Sequence, residues 1–92
     1  MAVGAHFANR NFPPATYEQA LAELDAAGFS APVGRIEHFA LLSDDGNVVV
    51  FDVWASPEAL EAFGSVLMPI LTGLHVELVP PTITPVHNRI SA

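Results

Sequence analysis

The sequence has no cysteine and no lysine, and its only permanently cationic side chains are Arg10, Arg35 and Arg89, set against ten carboxylates. Without thiols there is no disulfide framework, zinc–thiolate cluster or sulfur nucleophile, so stability rests on packing and a reducing cytoplasm suits the chain. A net charge of −7 repels phosphate backbones and anionic lipid surfaces, which argues against nucleic acid or a membrane as partner. No apolar run reaches the roughly 20 residues that cross a bilayer, and Met1–Phe7 lacks the basic start and apolar core of a signal peptide. Also missing are the Gly-x-Ser-x-Gly elbow, a phosphate-binding glycine loop, a dinucleotide fingerprint and His-Glu-x-x-His. Covalent acyl transfer, nucleotide chemistry and a zinc site therefore have no motif behind them, and neither cofactor nor metal is expected.

What the chain does have is apolar surface. Of its 92 residues 51% are hydrophobic before six glycines are counted, against about 45–50% for a typical set that includes glycine. Such a length allows one domain, residues 1–92, with one modest core. The surplus calls for a subunit interface or an enclosed apolar pocket.

Ala2–Asn9 reads as a first strand, with Val3, Ala5 and Phe7 on one face and Gly4, His6 and Ala8 on the other. Thr16-Tyr17-Glu18-Gln19 has the form of a capping box and predicts a helix start, with Tyr17, Ala20, Leu21 and Leu24 as its buried stripe and Gly28 as its stop. Arg35–Ala55 predicts two strands joined at Asp44-Asp45-Gly46-Asn47. With Asp45-Gly46 as a two-residue loop, Glu37, Phe39, Leu41, Val50, Asp52 and Trp54 share one face. His38, Ala40, Leu42, Val49, Phe51 and Val53 share the other, which separates His38 from Trp54. Both faces are largely apolar, so something besides two helices must cover this sheet.

Ser56-Pro57-Glu58 marks a second helix with a serine cap, proline in the first turn and a carboxylate at the positive end of the dipole. Leu60, Phe63, Leu67 and Ile70 or Leu71 form its stripe. Pro69 is expected to bend it before Gly73 closes it. His75–Ile90, interrupted by Pro80-Pro81 and Pro85, reads as an edge or broken strand. The order is β-α-β-β-α-β, a ferredoxin-like α+β fold with an antiparallel sheet.

The run Val50-Phe51-Asp52-Val53-Trp54-Ala55-Ser56-Pro57-Glu58-Ala59-Leu60-Glu61-Ala62-Phe63 resembles the strand-to-helix segment of the dimeric α+β barrel proteins, among them the antibiotic-biosynthesis monooxygenase-like proteins. Ile36-Glu37-His38-Phe39 and Val86-His87-Asn88 fit the same resemblance, which covers the chain from Arg35 onward. It implies a homodimer in which two sheets close face to face, giving the two-sided apolar sheet its cover. It also implies a pocket for flat apolar or aromatic ligands between each sheet and its own helices. Activities in that superfamily include cofactor-free oxygenation of anthrone-type compounds, polyketide cyclisation, isomerisation and haem breakdown. Against the last, the second helix, Pro57–Thr72, contains no histidine to ligate iron.

Histidine is the side chain whose unperturbed pKa suits proton transfer near neutral pH. His38 and His87 are the candidate catalytic bases, with a satisfied structural histidine and a dimer-edge contact as the respective alternatives. Asp52 is a candidate base as well, or the partner of Arg35 or Arg89, since a carboxylate in an apolar row needs a partner. Trp54, Phe39, His6 and Tyr17 are the candidate ligand contacts, Trp54 having core filler or dimer contact as its other reading. The functions left open are a cofactor-free oxygenase or cyclase, a ligand carrier, and a purely structural dimer.

Overall fold

A computed structural model describes all residues, Met1–Ala92. Its elements are β1 (Val3–Phe7), α1 (Pro14–Ala26), β2 (Arg35–Leu42), β3 (Val48–Trp54), α2 (Pro57–Gly73) and β4 (Thr82–Pro85). The strands form one antiparallel sheet in the order β2-β3-β1-β4. This is the α+β, ferredoxin-like arrangement expected from the sequence.

Both helices pack on one face of the sheet, because the inward residues of β1 and β3 and the helix stripes bury each other. Val3, Ala5 and Trp54 join Leu24 of α1 with Leu60 and Phe63 of α2 in one cluster. Phe12, Ala20, Val48, Leu71 and Val76 form a second, and Leu67 and Ile70 pack against both. The other face carries no helix. Phe39, Leu41 and Phe51 are 50%, 59% and 39% exposed there.

Several local expectations are corrected. The first strand ends at Phe7, short of Asn9, because the Asn9 side chain accepts from Val79 N–H and Arg10 bridges to Glu77 instead. Helix α1 begins at Pro14, not at a Thr16 capping box. Proline pre-sets the backbone angle of the first turn, and Thr16 and Tyr17 N–H both donate to Pro13 C=O. The α1 stop is as expected: Gly28 takes a φ of +85°, and Phe29 and Gly28 N–H close on Leu24 and Asp25 C=O. In α2, Ser56 Oγ accepts from Ala59 N–H as a cap should, and the helix runs through Pro69. Gly73 is its last residue and not its terminator. The left-handed position falls two residues later, on His75 at a φ of +63°, with Val76 and His75 N–H closing on Leu71 and Thr72 C=O.

The hairpin register is the consequential correction. Ser43 N–H bonds Asn47 C=O and Gly46 N–H bonds Ser43 C=O, with Gly46 at a φ of +85°. That is a three-residue loop, a type I turn completed by a left-handed glycine, and not the two-residue loop the Asp-Gly pair suggested. The register therefore moves by one residue: His38 faces Asp52 and Phe39 faces Phe51. Because side chains alternate with a period of two, β2 turns over relative to β3. His38, Val50, Asp52 and Trp54 now share the helix-covered face, while Glu37, Phe39, Leu41, Phe51 and Val53 share the bare one. A bulge between Arg35 and Glu37 restores Arg35 to the side of Trp54, opposite which it pairs.

Candidate active site

Asp52 lies on the inward face of β3 with 4% of its surface exposed. A carboxylate so placed must have donors, and it has two. His38 Nδ1, directly across the sheet, is 2.6 Å from Oδ1, and Trp54 Nε1–H donates to Oδ2 at 3.3 Å. No buried side-chain polar atom in the protein lacks a partner. The expected arginine partner is thus replaced by histidine and tryptophan: Arg89 pairs with Glu37 at 3.1 Å, and Arg35 donates to Ser30 C=O.

An ionised carboxylate can only accept, so the proton between Asp52 and His38 sits on Nδ1. The His38 Nε2 lone pair is then left to accept from the Tyr17 hydroxyl, 2.7 Å away. Tyr17 comes from the first turns of α1, its ring parallel to that of His38 and edge-on to Phe12. Burial pushes the Tyr17 phenol above its ordinary value of 10.0, and the negative charges of Glu18 and Asp52 add to this while Arg35 opposes it. The result is one hydrogen-bonded chain, Trp54–Asp52–His38–Tyr17, running from the core to a cavity between sheet and helices.

That cavity is about 50 Å³ and is walled mainly by apolar side chains from β1, β3 and both helices, with Asn9, Tyr17, Arg35, His38 and Asp52 as its polar lining. It has room for a few waters and is smaller than the roughly 150 Å³ that encloses benzene. A second, 280 Å³ cleft lies between α2 and Leu78–Pro81 and shares Phe7, Asn9, Leu67 and Leu71 with the first. No group of three or more His, Asp or Glu side chains is placed to hold a metal ion.

Among the residues singled out from the sequence, the fold brings Tyr17, His38, Asp52 and Trp54 together, reversing the separation of His38 from Trp54. Trp54 is wholly buried and does not line the cavity; it belongs to the core and touches the site through its N–H. Phe39 and His87 lie on the opposite face, around a 410 Å³ hollow under the C-terminal segment, and His6 pairs with Phe51 and Thr82 on that face too. Asn9 and Arg35 were missed as cavity residues. Asn9 could have been found, since it continues the inward parity of Val3, Ala5 and Phe7.

The same architecture occurs in known proteins. SnoaB, a cofactor-independent oxygenase from Streptomyces nogalater, superposes with a TM-score of 0.64 at 21% identity, over 99% of this chain and 96% of that one. A proposed antibiotic biosynthesis monooxygenase from Chloroflexus aurantiacus gives 0.67 at 15%, over 99% and 98%. The chain has the fold of the antibiotic-biosynthesis monooxygenase-like proteins. ActVA-Orf6 of Streptomyces coelicolor, a monooxygenase in complex with nanaomycin D, matches with a TM-score of 0.56 at 18% identity, over 99% and 90%. No family model matches the sequence, and no curated protein does.

Proposed function

We propose that this protein is a cofactor-independent enzyme of oxygenase or cyclase type, acting as a cytoplasmic homodimer on a small aromatic or polyketide-like molecule with His38 as general base. The observation that carries this reading is the Asp52–His38–Tyr17 chain, which presents a histidine nitrogen toward an apolar cavity and backs it with a buried carboxylate. A substrate hydroxyl or acidic C–H that takes the place of the Tyr17 hydroxyl would lose its proton to Nε2. Asp52 would then stabilise the imidazolium, and Arg35 on the cavity wall would face the substrate anion.

In the oxygenase version the electron-rich anion reacts with O₂. A ring methylene becomes a carbonyl, one oxygen atom stays in the product, the other leaves as water, and all four electrons come from the substrate. In the cyclase version the same base forms an enolate that closes a ring without consuming O₂. The described functions of structurally similar proteins favour the first version. His6, Phe39 and His87 belong in this reading to the face that meets a second copy of the chain.

The test is turnover of an anthrone or an enolisable polyketide analogue, followed by oxygen uptake and product analysis. Oxygen uptake assigns the oxygenase; product without it assigns the cyclase. His38→Ala is expected to lower turnover about 10²- to 10⁴-fold, and full retention would remove His38 as base. One observation favours a second reading, a closed domain whose polar chain is structural: the cavity of about 50 Å³ is too small for a bicyclic ligand as it stands. Titration with 1-naphthol, followed by NMR at His38 and Tyr17, separates the two: saturable binding at those residues requires the cavity to open toward the neighbouring cleft, and the closed domain would show none there.

A further inference from the structure

We propose that Trp54 is a positioning residue, its indole N–H locking the rotation of the Asp52 carboxylate so that Oδ1 stays aimed at His38 Nδ1. The consequence for catalysis rests on His38 being the base, but the positioning itself does not.

A carboxylate turns about a broad, two-fold torsion, so packing around its stem does not by itself decide where each oxygen points. Here each oxygen has its own donor. Oδ1 meets His38 Nδ1 at 2.6 Å, and Oδ2 meets Trp54 Nε1 at 3.3 Å. The two residues are neighbours because they stand two apart on β3 and so project from the same face. The indole is also the most deeply buried ring in the molecule. It has 0% of its surface exposed, packs on Phe63 with ring centroids 5.2 Å apart, and sits in the cluster of Val3, Ala5, Leu60 and Phe63. A donor-only group fixed in that way acts as a stationary reference for the carboxylate. His38, by contrast, keeps 23% of its side chain exposed and faces the cavity, so it cannot supply the reference itself.

The chain contains a single tryptophan, which allows its N–H to be deleted without a mutation. Replacing tryptophan biosynthetically by benzothienylalanine keeps the bicyclic shape and substitutes sulfur for N–H. Trp54→Phe does the same more crudely, and Phe63→Leu loosens the same cluster while leaving the N–H in place.

NMR of the imidazole nitrogens reports the tautomer of His38 and the environment of its Nδ1–H with no substrate present. The native protein is expected to show the Nδ1–H tautomer with a defined proton resonance, and Phe63→Leu, which keeps the N–H but loosens its seat, the same tautomer with that resonance at most slightly displaced. Benzothienylalanine and Trp54→Phe proteins are expected to show that resonance displaced or lost to exchange, with the other tautomer populated. An unchanged Nδ1–H signal in the benzothienylalanine protein would overturn the proposal, whatever the activity. On a turned-over substrate the same replacement should lower kcat about tenfold to a hundredfold with KM within about twofold, as expected when a reacting group is misplaced and binding is not. If His38→Ala leaves turnover intact while the NMR signature behaves as described, the base assignment fails and the positioning role stands.

Discussion

A buried aspartate on an apolar sheet face is costly unless its charge is shared, and Asp52 shares it with His38 directly across the sheet and Trp54 two residues along its own strand. Tyr17 terminates the chain and offers a direct way to observe it. It is the only tyrosine, and with no lysine present the alkaline titration of the protein is dominated by this one phenol. Burial chiefly, with Glu18 and Asp52, raises its folded pKa above 10.0. The protonated phenol is then favoured in the folded state, so its contribution is fully present below the unfolded value and is lost as pH climbs through the folded one. Ultraviolet titration should place the tyrosinate transition above that of a free phenol in the native protein and return it to the ordinary range in urea. Urea midpoints should fall above about pH 10, and less steeply in Tyr17→Phe; an equal fall in both proteins would show that Tyr17 is not responsible.

At the scale of elements, the ends of helices and the turn carry most of the local information. The C-terminus of α2 places His75, exposed and β-bearing, at a φ of +63°, a conformation that favours glycine. Since no hydrogen bond from the His75 side chain is at stake and Asn11 Nδ2–H donates to its backbone carbonyl, His75→Gly is expected to stabilise the protein by about 0.5–1 kcal/mol. Urea denaturation would read this, and a loss of stability would mean the imidazole contributes something the backbone does not.

The same helix shows why part of the fold was legible and part was not. Ser56-Pro57-Glu58 reads as a helix start because each residue acts locally, through its own side chain or its own φ. Where the helix ends depends on which carbonyls the next residues can reach, and Gly73 lost to His75 in that contest. The element order and the inward stripe of α2 were likewise evident, being set by periodicity. The site was legible as a set of residues and illegible as an arrangement. His38, Asp52, Tyr17 and Trp54 could each be named, but whether they meet depends on whether the turn has two residues or three. Asp-Gly accommodates both. Asp45 here accepts from Ser43 Oγ and from Asn47 N–H, which lowers its pKa and holds the three-residue form. Those contacts stabilise the turn above the unfolded carboxylate range and are lost as pH falls through the lowered value.

For the whole molecule, the notable surface is the sheet face opposite the helices. Phe39, Leu41 and Phe51 are exposed there, and the C-terminal segment covers only part of it, tied down by Arg89 and Glu37. Exposed apolar area of this kind marks an association surface. Sedimentation is expected to show a species of twice the 9.8 kDa chain mass, and Leu41→Glu together with Phe39→Glu is expected to drive it toward the monomer. A wild-type monomer at micromolar concentration would leave the face without a partner and the barrel without a basis. No helix is long and apolar enough to cross a membrane, so a bilayer-spanning helix does not account for the exposed area.

The odd number of residues in the Asp44–Gly46 turn bears on how such a protein could change by inheritance. Loss of one codon there would alter none of the residues around the cavity, yet the shorter turn would favour pairing in which β2 is turned over against β3. Phe39 and Leu41 would then point at the helices and His38 away from Asp52, exchanging a polar site for a greasy core in one step. For a lineage that depends on this site, the length of the turn is a heavier constraint than its spelling.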